Sequence, residues 1–175
     1  LAVAASRTRL QWRPSPERYF SDPQLVEDHL KPFGSVLATC TDDLDRRVMQ
    51  WCIENYVPLS QFQGRNDIHV VFYERLVADL DRELRSIGSH TGLRMRTVPR
   101  KLAAAPSVTA YRARSFEMAS ALDDWRRQLP AEDVERALGV VAAFGLDALY
   151  GIESMPRDVD PLHLPSAFVH SRLTG

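Results

Sequence analysis

Glycine, cysteine and lysine are scarce in this chain of 175 residues. Its eight glycines form no phosphate-binding loop of the GxxxxGK[ST] kind. Cys40 and Cys52 are too few for a disulfide framework and fit no metal-ligand spacing, so a reducing compartment, the cytoplasm, is expected. No run reaches the roughly 18 apolar residues that a membrane span needs. The sequence therefore predicts no transmembrane segment.

The charges of the chain are balanced, because 22 lysines and arginines face 23 acidic residues and the net charge is −1. This balance disfavours a dedicated nucleic-acid-binding protein, which usually carries a basic excess. Lys31 and Lys101 are the two lysines, so the other 20 basic residues are arginines. An excess of arginine is typical of a GC-rich genome. Alternatively, some of these guanidinium groups grip an anion with two hydrogen bonds each.

Apolar residues recur at three- and four-residue spacing in several stretches, which is typical of amphipathic helices. The longest predicted helix begins behind a cluster of acidic residues that suits the positive end of its dipole. Residues 35–39 fit either a short strand or a loop. Helices are predicted over 22–31, 42–62, 78–91, 121–128 and 131–144.

Residues 68–73 read IHVVFY, a nearly unbroken run of β-branched and other apolar side chains. Such a run predicts a strand buried on both faces, as in a parallel sheet. Because a helix is predicted directly after it, the segment has the pattern of half a βαβ unit. The expected fold is therefore α/β, with 68–73 as an interior strand of a central parallel sheet.

Residues 94–115 carry six basic side chains and no acidic one, which makes a local basic segment inside a neutral chain. From Gly151 onward the sequence is rich in proline and aspartate and shows no periodicity. Residues 152–175 are therefore predicted to be an irregular tail rather than a second domain.

Three stretches, in this order, resemble sulfotransferases, the enzymes that use 3′-phosphoadenosine 5′-phosphosulfate (PAPS). LAVAAS at 1–6 resembles the helix after the family's Arg-Asp/His-Pro motif. HVVFYERLVADLDRELRSIGSHTGL resembles the family's strand–helix segment, except that the family more often has an acid where Arg75 stands. LDDWRRQLPAEDVERALGVVAAFGLDALYG at 122–151 resembles the C-terminal helices of bacterial members.

The resemblance implies that residues 1–151 are the C-terminal portion of a single sulfotransferase domain with a P-loop-type three-layer fold. Ser6 matches the serine that holds the 3′-phosphate, and Tyr73 matches the tyrosine that touches the adenine. Arg112, Arg114 and Ser115 match a basic loop that returns over the 3′-phosphate. The implied cofactor is PAPS, left as 3′,5′-ADP after transfer, and the implied partner is a small-molecule acceptor with a hydroxyl or amine group.

Complete members also have a strand, a phosphate loop and a helix that hold the 5′-phosphosulfate, and their usual catalytic base precedes the matched segments. Nothing in this chain matches those parts, so no catalytic residue is assigned. A missing N-terminal half is the expected source of these parts, and a second copy of the chain is the alternative partner. This chain alone is expected to bind 3′,5′-ADP weakly without turnover.

Two other interpretations stay open. One is a helical interaction module that offers the apolar faces of 42–62 and 131–144 to a partner. The other is a nucleotide-binding regulator without chemistry. The five histidines have no metal-ligand spacing, so the sequence predicts no metal site.

Overall fold

The computed structural model describes residues 13–94, 123 and 125–164, and 63% of these residues are helical. A π-helical turn (Val26–Leu30) and a 3₁₀ turn (Lys31–Phe33) join the second helix to the third, and another 3₁₀ turn (Leu146–Ala148) follows the last helix. None of the helices in the described ranges has the length and apolarity needed to cross a membrane. Helices α1 to α8 span, in chain order, Glu17–Phe20, Pro23–Leu25, Gly34–Thr39, Asp43–Gln61, Tyr73–Ala78, Leu80–Thr91, Trp125–Gln128 and Ala131–Ala143.

The predicted α/β fold with a central parallel sheet is wrong, because the described residues contain no strand. The P-loop-type architecture implied by the resemblance fails for the same reason. Residues 68–72 belong to no helix or strand, and Tyr73, expected as the end of the strand, begins α5. The predicted burial on both faces is also wrong: Phe72 is buried, whereas residues 68–71 are half-buried.

The physical reason for this failure is that a strand exists only beside another strand. Ile68, Val70 and Phe72 pack against the core, and this every-second-residue pattern is that of an extended chain. Phe72 has extended backbone angles, with φ −86° and ψ 127°. Within the described ranges, however, the backbone of residues 68–71 forms no hydrogen bond to another segment. The apolar run thus favours an extended chain, but none of the described residues supplies a neighbouring strand that would turn it into a sheet.

The prediction of a long helix over 42–62 is confirmed by α4, which runs from Asp43 to Gln61. The side chain of Asp42 caps its start by accepting a hydrogen bond of 2.9 Å from the backbone N–H of Asp45. Pro58 lies inside the helix, yet the helix continues for almost one more turn and the Phe62 N–H still donates to the Pro58 carbonyl.

Helices α4 and α8 pack against each other and form the centre of the core. At the end of α8, the Phe144 ring stacks on the Phe33 ring with centroids 3.9 Å apart. The Tyr56 ring from α4 meets both rings edge-on, at 4.9 Å from Phe33 and 5.7 Å from Phe144. Three segments distant in sequence therefore share one aromatic cluster. The fully buried Met49 and Ile53 of α4 belong to the same core.

Ion pairs join the start of α4 to α8. The Arg136 guanidinium donates to the Asp45 carboxylate at 2.9 Å and also reaches the carboxylate of Asp42. Asp45 is buried, and the hydrogen bond from Arg136 compensates its charge away from water. Asp42 and Asp45 belong to the acidic cluster that the sequence predicts to stabilise the dipole of α4. In the structure they also bind α8.

The shorter helices differ more from their predicted limits. The helix predicted over 22–31 is interrupted by the π-helical turn, and residues 35–39, expected as strand or loop, lie in α3. The helix predicted over 78–91 is confirmed as α6, and Gly92 ends it with a left-handed φ of 71°. The helix predicted over 131–144 is confirmed as α8, followed by Gly145 with a φ of 69°.

Residues 152–164 contain no helix or strand but lie against the helical body. Leu162 and Leu164 belong to the core cluster. The Gly64 N–H donates to the Leu162 carbonyl at 2.7 Å, and the Arg157 N–H donates to the Leu149 carbonyl at 2.8 Å. The described part of this irregular segment is thus packed on the same domain.

Candidate functional site

Tyr73 is the one predicted site residue that lies in the described part of the chain. It follows the apolar 68–72 segment, begins α5 and leaves 58% of its surface exposed. The segment before it is fixed to the core by Ile68, Val70 and Phe72, so the position of Tyr73 is set by packing. The other four predicted site residues, Ser6, Arg112, Arg114 and Ser115, lie outside the described residues.

Arg75 contacts the irregular segment that follows Gly151. Its guanidinium donates to the Arg157 carbonyl at 3.0 Å and lies 3.4 Å from a carboxylate oxygen of the exposed Asp158. The same guanidinium lies over the Phe72 ring, 4.9 Å from the ring centre. An acid at this position would lose both contacts. The structure therefore gives a local reason for an arginine where the resembled family more often has an acid.

Aromatic side chains pack against one another next to Arg75. The Tyr150 ring meets the Trp51 ring edge-on at 5.0 Å and the Phe72 ring at 6.0 Å. Burial raises the pKa of Tyr150 well above its usual value, and the nearby Glu74 carboxylate raises it further. Tyr150 therefore stays a neutral phenol at any physiological pH. We call Tyr73, Glu74, Arg75, Tyr150 and Asp158 the Tyr73 surface.

The side chains best suited to nucleophilic chemistry lie away from the Tyr73 surface and are withdrawn from solvent. Cys40 and Cys52 are both buried free thiols. Ser60 is also buried: its hydroxyl donates to the Val57 carbonyl at 3.0 Å and lies 3.1 Å from His29 Nδ1. These groups are suited to holding the core together, and a substrate cannot reach them in this arrangement.

The Tyr73 surface presents features that can bind a flat ring and an anion. An exposed tyrosine presents an aromatic face on which a heterocycle can stack. Arg75 adds a positive charge. Its ion pair with Asp158 is exposed, and such a pair neutralises the charge only weakly. In the part of the chain that the structure describes, no group of three or more His, Cys, Asp or Glu residues could hold a metal ion.

Comparison of the chain with protein-family models, with curated proteins and with solved structures found no match in any of the three. The resemblance to sulfotransferases therefore rests on the three stretches quoted above.

Sequence reasoning missed Arg75, Tyr150 and Asp158 as parts of one surface. The departure at Arg75 was visible in the sequence, but nothing in the sequence indicated that Asp158 lies 3.4 Å from it across 83 residues. Trp51 is a packing side chain, since its ring is half-buried against Tyr150.

Proposed function

We propose that this chain forms the part of a PAPS-dependent sulfotransferase that binds the adenine and the 3′-phosphate of the cofactor. The observation that carries the proposal is the exposed Tyr73 at the end of the apolar 68–72 segment. This is the residue that the resemblance assigns to the adenine, and more than half of its surface is available to a ligand.

The cofactor would supply an activated sulfuryl group, and an acceptor hydroxyl or amine would receive it. The chain's own contribution is to hold the nucleotide end, which fixes the geometry of the distant reacting centre. Tyr73 would stack on the adenine. The 3′-phosphate would accept hydrogen bonds from Ser6, Arg112, Arg114 and Ser115. Each of the two guanidinium groups would donate two of these bonds. The proposal places the protein in the cytoplasm, where Cys40 and Cys52 remain thiols.

The interpretation as a helical interaction module is less well supported. That interpretation needs the apolar faces of the predicted helices 42–62 and 131–144 to be free for a partner. In the structure those helices, α4 and α8, direct their apolar faces at each other across the core. A nucleotide-binding regulator without chemistry would bind the same ligand and differs from the proposal only in turnover by the complete protein.

Replacing Tyr73 with alanine is expected to weaken the binding of 3′,5′-ADP by about 1–3 kcal/mol, the contribution of one stacked base. Phenylalanine keeps the ring and should keep most of the affinity. Calorimetric titration of the chain with 3′,5′-ADP measures both variants. Leu93→Ala, at another exposed apolar residue, is the control and should bind like the wild type. If Tyr73→Ala and Leu93→Ala bind equally well, Tyr73 does not contact the adenine.

Replacing Arg112 or Arg114 with alanine is expected to weaken 3′,5′-ADP binding by about 1.5–3 kcal/mol, as for a charge-assisted hydrogen bond. Lysine should recover only part of the loss, because an ammonium group cannot bind with two parallel hydrogen bonds. The same titrations with 5′-AMP, which lacks the 3′-phosphate, should show a much smaller effect.

The matched control for these arginines is Arg94→Ala, at an exposed residue of the same basic segment. It should change affinity by less than about 0.5 kcal/mol, as expected for a solvated side chain. Equal losses with 3′,5′-ADP and with 5′-AMP would show that Arg112 and Arg114 act through folding, and the assignment to the 3′-phosphate would be wrong.

A further inference from the structure

Two histidines that are 21 residues apart in sequence meet where the 68–72 segment lies against α6. The rings of His69 and His90 have centroids 5.0 Å apart and planes inclined by 27°. His69 Nε2 lies 3.4 Å from the Ser86 hydroxyl. Ser86 and His90 are one turn apart and share a face of α6. The His69 ring therefore directs a nitrogen towards the helix face that carries His90.

The surroundings of this pair are polar and accessible. His69 is half-buried, whereas His90 and Ser86 are exposed. Asp67 precedes His69 by two residues and is exposed. The Asp67 carboxylate accepts a hydrogen bond of 2.8 Å from Arg65 Nε. A carboxylate paired with Arg65 thus lies in the neighbourhood of His90.

The separation of the two rings matches that of imidazoles sharing one metal ion. Zinc bonds an imidazole nitrogen at about 2.1 Å, which puts each ring centre roughly 3.2 Å from the ion. Two rings at a tetrahedral angle then have centres about 5.2 Å apart, close to the value of 5.0 Å observed here. His90 is exposed, so packing in the core does not fix the orientation of its ring.

We propose that His69 and His90 together bind a divalent transition-metal ion of the zinc class, with water completing its coordination. Imidazole nitrogen suits zinc, copper and nickel, and does not suit magnesium or calcium. The site has two protein ligands, fewer than a closed structural zinc site, so open positions remain on the metal. The bound ion would join the 68–72 segment to α6 and so restrain the segment that precedes Tyr73.

This proposal is tested by titrating the full chain, without a polyhistidine tag, with Zn²⁺ in a calorimeter. The wild type should bind one ion. His90→Gln and His69→Gln should each weaken binding by at least about tenfold, because even the loss of an outer partner of a metal ligand costs 10- to 100-fold. His90 is exposed, so His90→Gln leaves the fold intact, and circular dichroism confirms this for both variants.

The matched control is His163→Gln. His163 is also exposed and lies beside a carboxylate, with Nδ1 2.9 Å from an Asp160 oxygen, but no second histidine contacts it in the described part of the chain. It should leave zinc binding unchanged. Co²⁺ added in place of Zn²⁺ should give a visible absorption band that His90→Gln removes. Acidification should release the ion, since only neutral imidazoles coordinate.

Three results would overturn the proposal. The first is a wild-type chain that shows no saturable zinc binding. The second is binding that His90→Gln leaves unchanged. The third is an equal loss of binding in His163→Gln and His90→Gln, which would indicate scattered surface association. None of these measurements involves a nucleotide, so the outcome is independent of the proposed sulfotransferase function.

Discussion

Replacing Phe144 with alanine is expected to lower the free energy of unfolding by about 3–5 kcal/mol. Phe144 is only 2% exposed, and its ring is in contact with Phe33 and Tyr56. The substitution removes apolar burial and leaves a cavity where three segments meet. Since small domains have a total stability of about 5–15 kcal/mol, the variant should be close to unfolding at room temperature. Urea denaturation followed by circular dichroism measures the change.

Two further variants show whether the loss comes from the cavity. Phe144→Leu fills much of the space and should be destabilised by less than half as much as Phe144→Ala. Ile152→Ala, at an apolar residue that is 52% exposed, should change the stability by no more than about 0.5 kcal/mol. A loss below about 1 kcal/mol in Phe144→Ala would mean that this aromatic cluster is not the centre of the core.

At pH 8 both thiols of the folded chain are expected to react with iodoacetamide at least about 100-fold more slowly than in the unfolded chain. Burial raises the pKa of Cys40 from an ordinary value near 9 to about 11, and the carboxylates of Asp45 and Asp42 add to the shift. Burial raises the pKa of Cys52 further still. Two pKa units leave about a hundredth of the reactive thiolate, and limited access slows the reaction further.

The pH dependence of this reaction distinguishes ionisation from access alone. The labelling rate of Cys40 should keep rising with pH to about 11, whereas that of the unfolded chain should level off near 9. Because the folded thiol keeps its proton longer, its contribution to stability is complete below about pH 9 and is lost as the pH rises towards 11. Labelling in urea should modify both thiols, and Cys40→Ser assigns the remaining one. A thiol that reacts within tenfold of its unfolded rate would contradict its burial.

The helices of this protein were the most predictable part of its fold. In α4, apolar residues at helical spacing coincide with an N-cap at Asp42 and acidic residues in the first turn, so several local signals agree. Gly92 and Gly145 end the next long helices with the left-handed backbone that glycine favours. These signals act over a few residues and can be recognised in sequence without knowledge of the tertiary structure.

The sheet could not be predicted in the same way, because it depends on a neighbour. The run at 68–73 has the composition of a buried strand, but composition indicates only that the chain is extended and apolar. Whether it joins a sheet depends on hydrogen bonds to another segment, and no property of these six residues reveals such a segment. The continuous helical path from Pro23 to Thr39 was missed for a related reason, since Pro32 and Gly34 are local breakers that tertiary packing overrides.

The candidate site was predictable only where the resemblance gave a position. Tyr73 was named from the resemblance, and the structure shows that its ring is accessible. The contact of Arg75 with Asp158 and the contact of His69 with His90 join residues far apart in sequence. No sequence motif predicts either pair, because each contact forms only when two distant segments pack together in the folded protein.

Within the described residues the backbone of 68–71 pairs with no other segment, and this also bears on the solubility of the protein. A row of main-chain donors and acceptors that has no partner in the described fold, and that carries β-branched side chains, is a template on which another polypeptide can add as a strand. Such addition is the first step towards aggregation. Charged residues flank the row at both ends, with Arg65 and Asp67 before it and Glu74 and Arg75 after it. Such flanking charges act as gatekeepers, since an incoming strand must bury or repel them to extend further. The charges therefore protect an apolar segment that the described fold leaves without a neighbour.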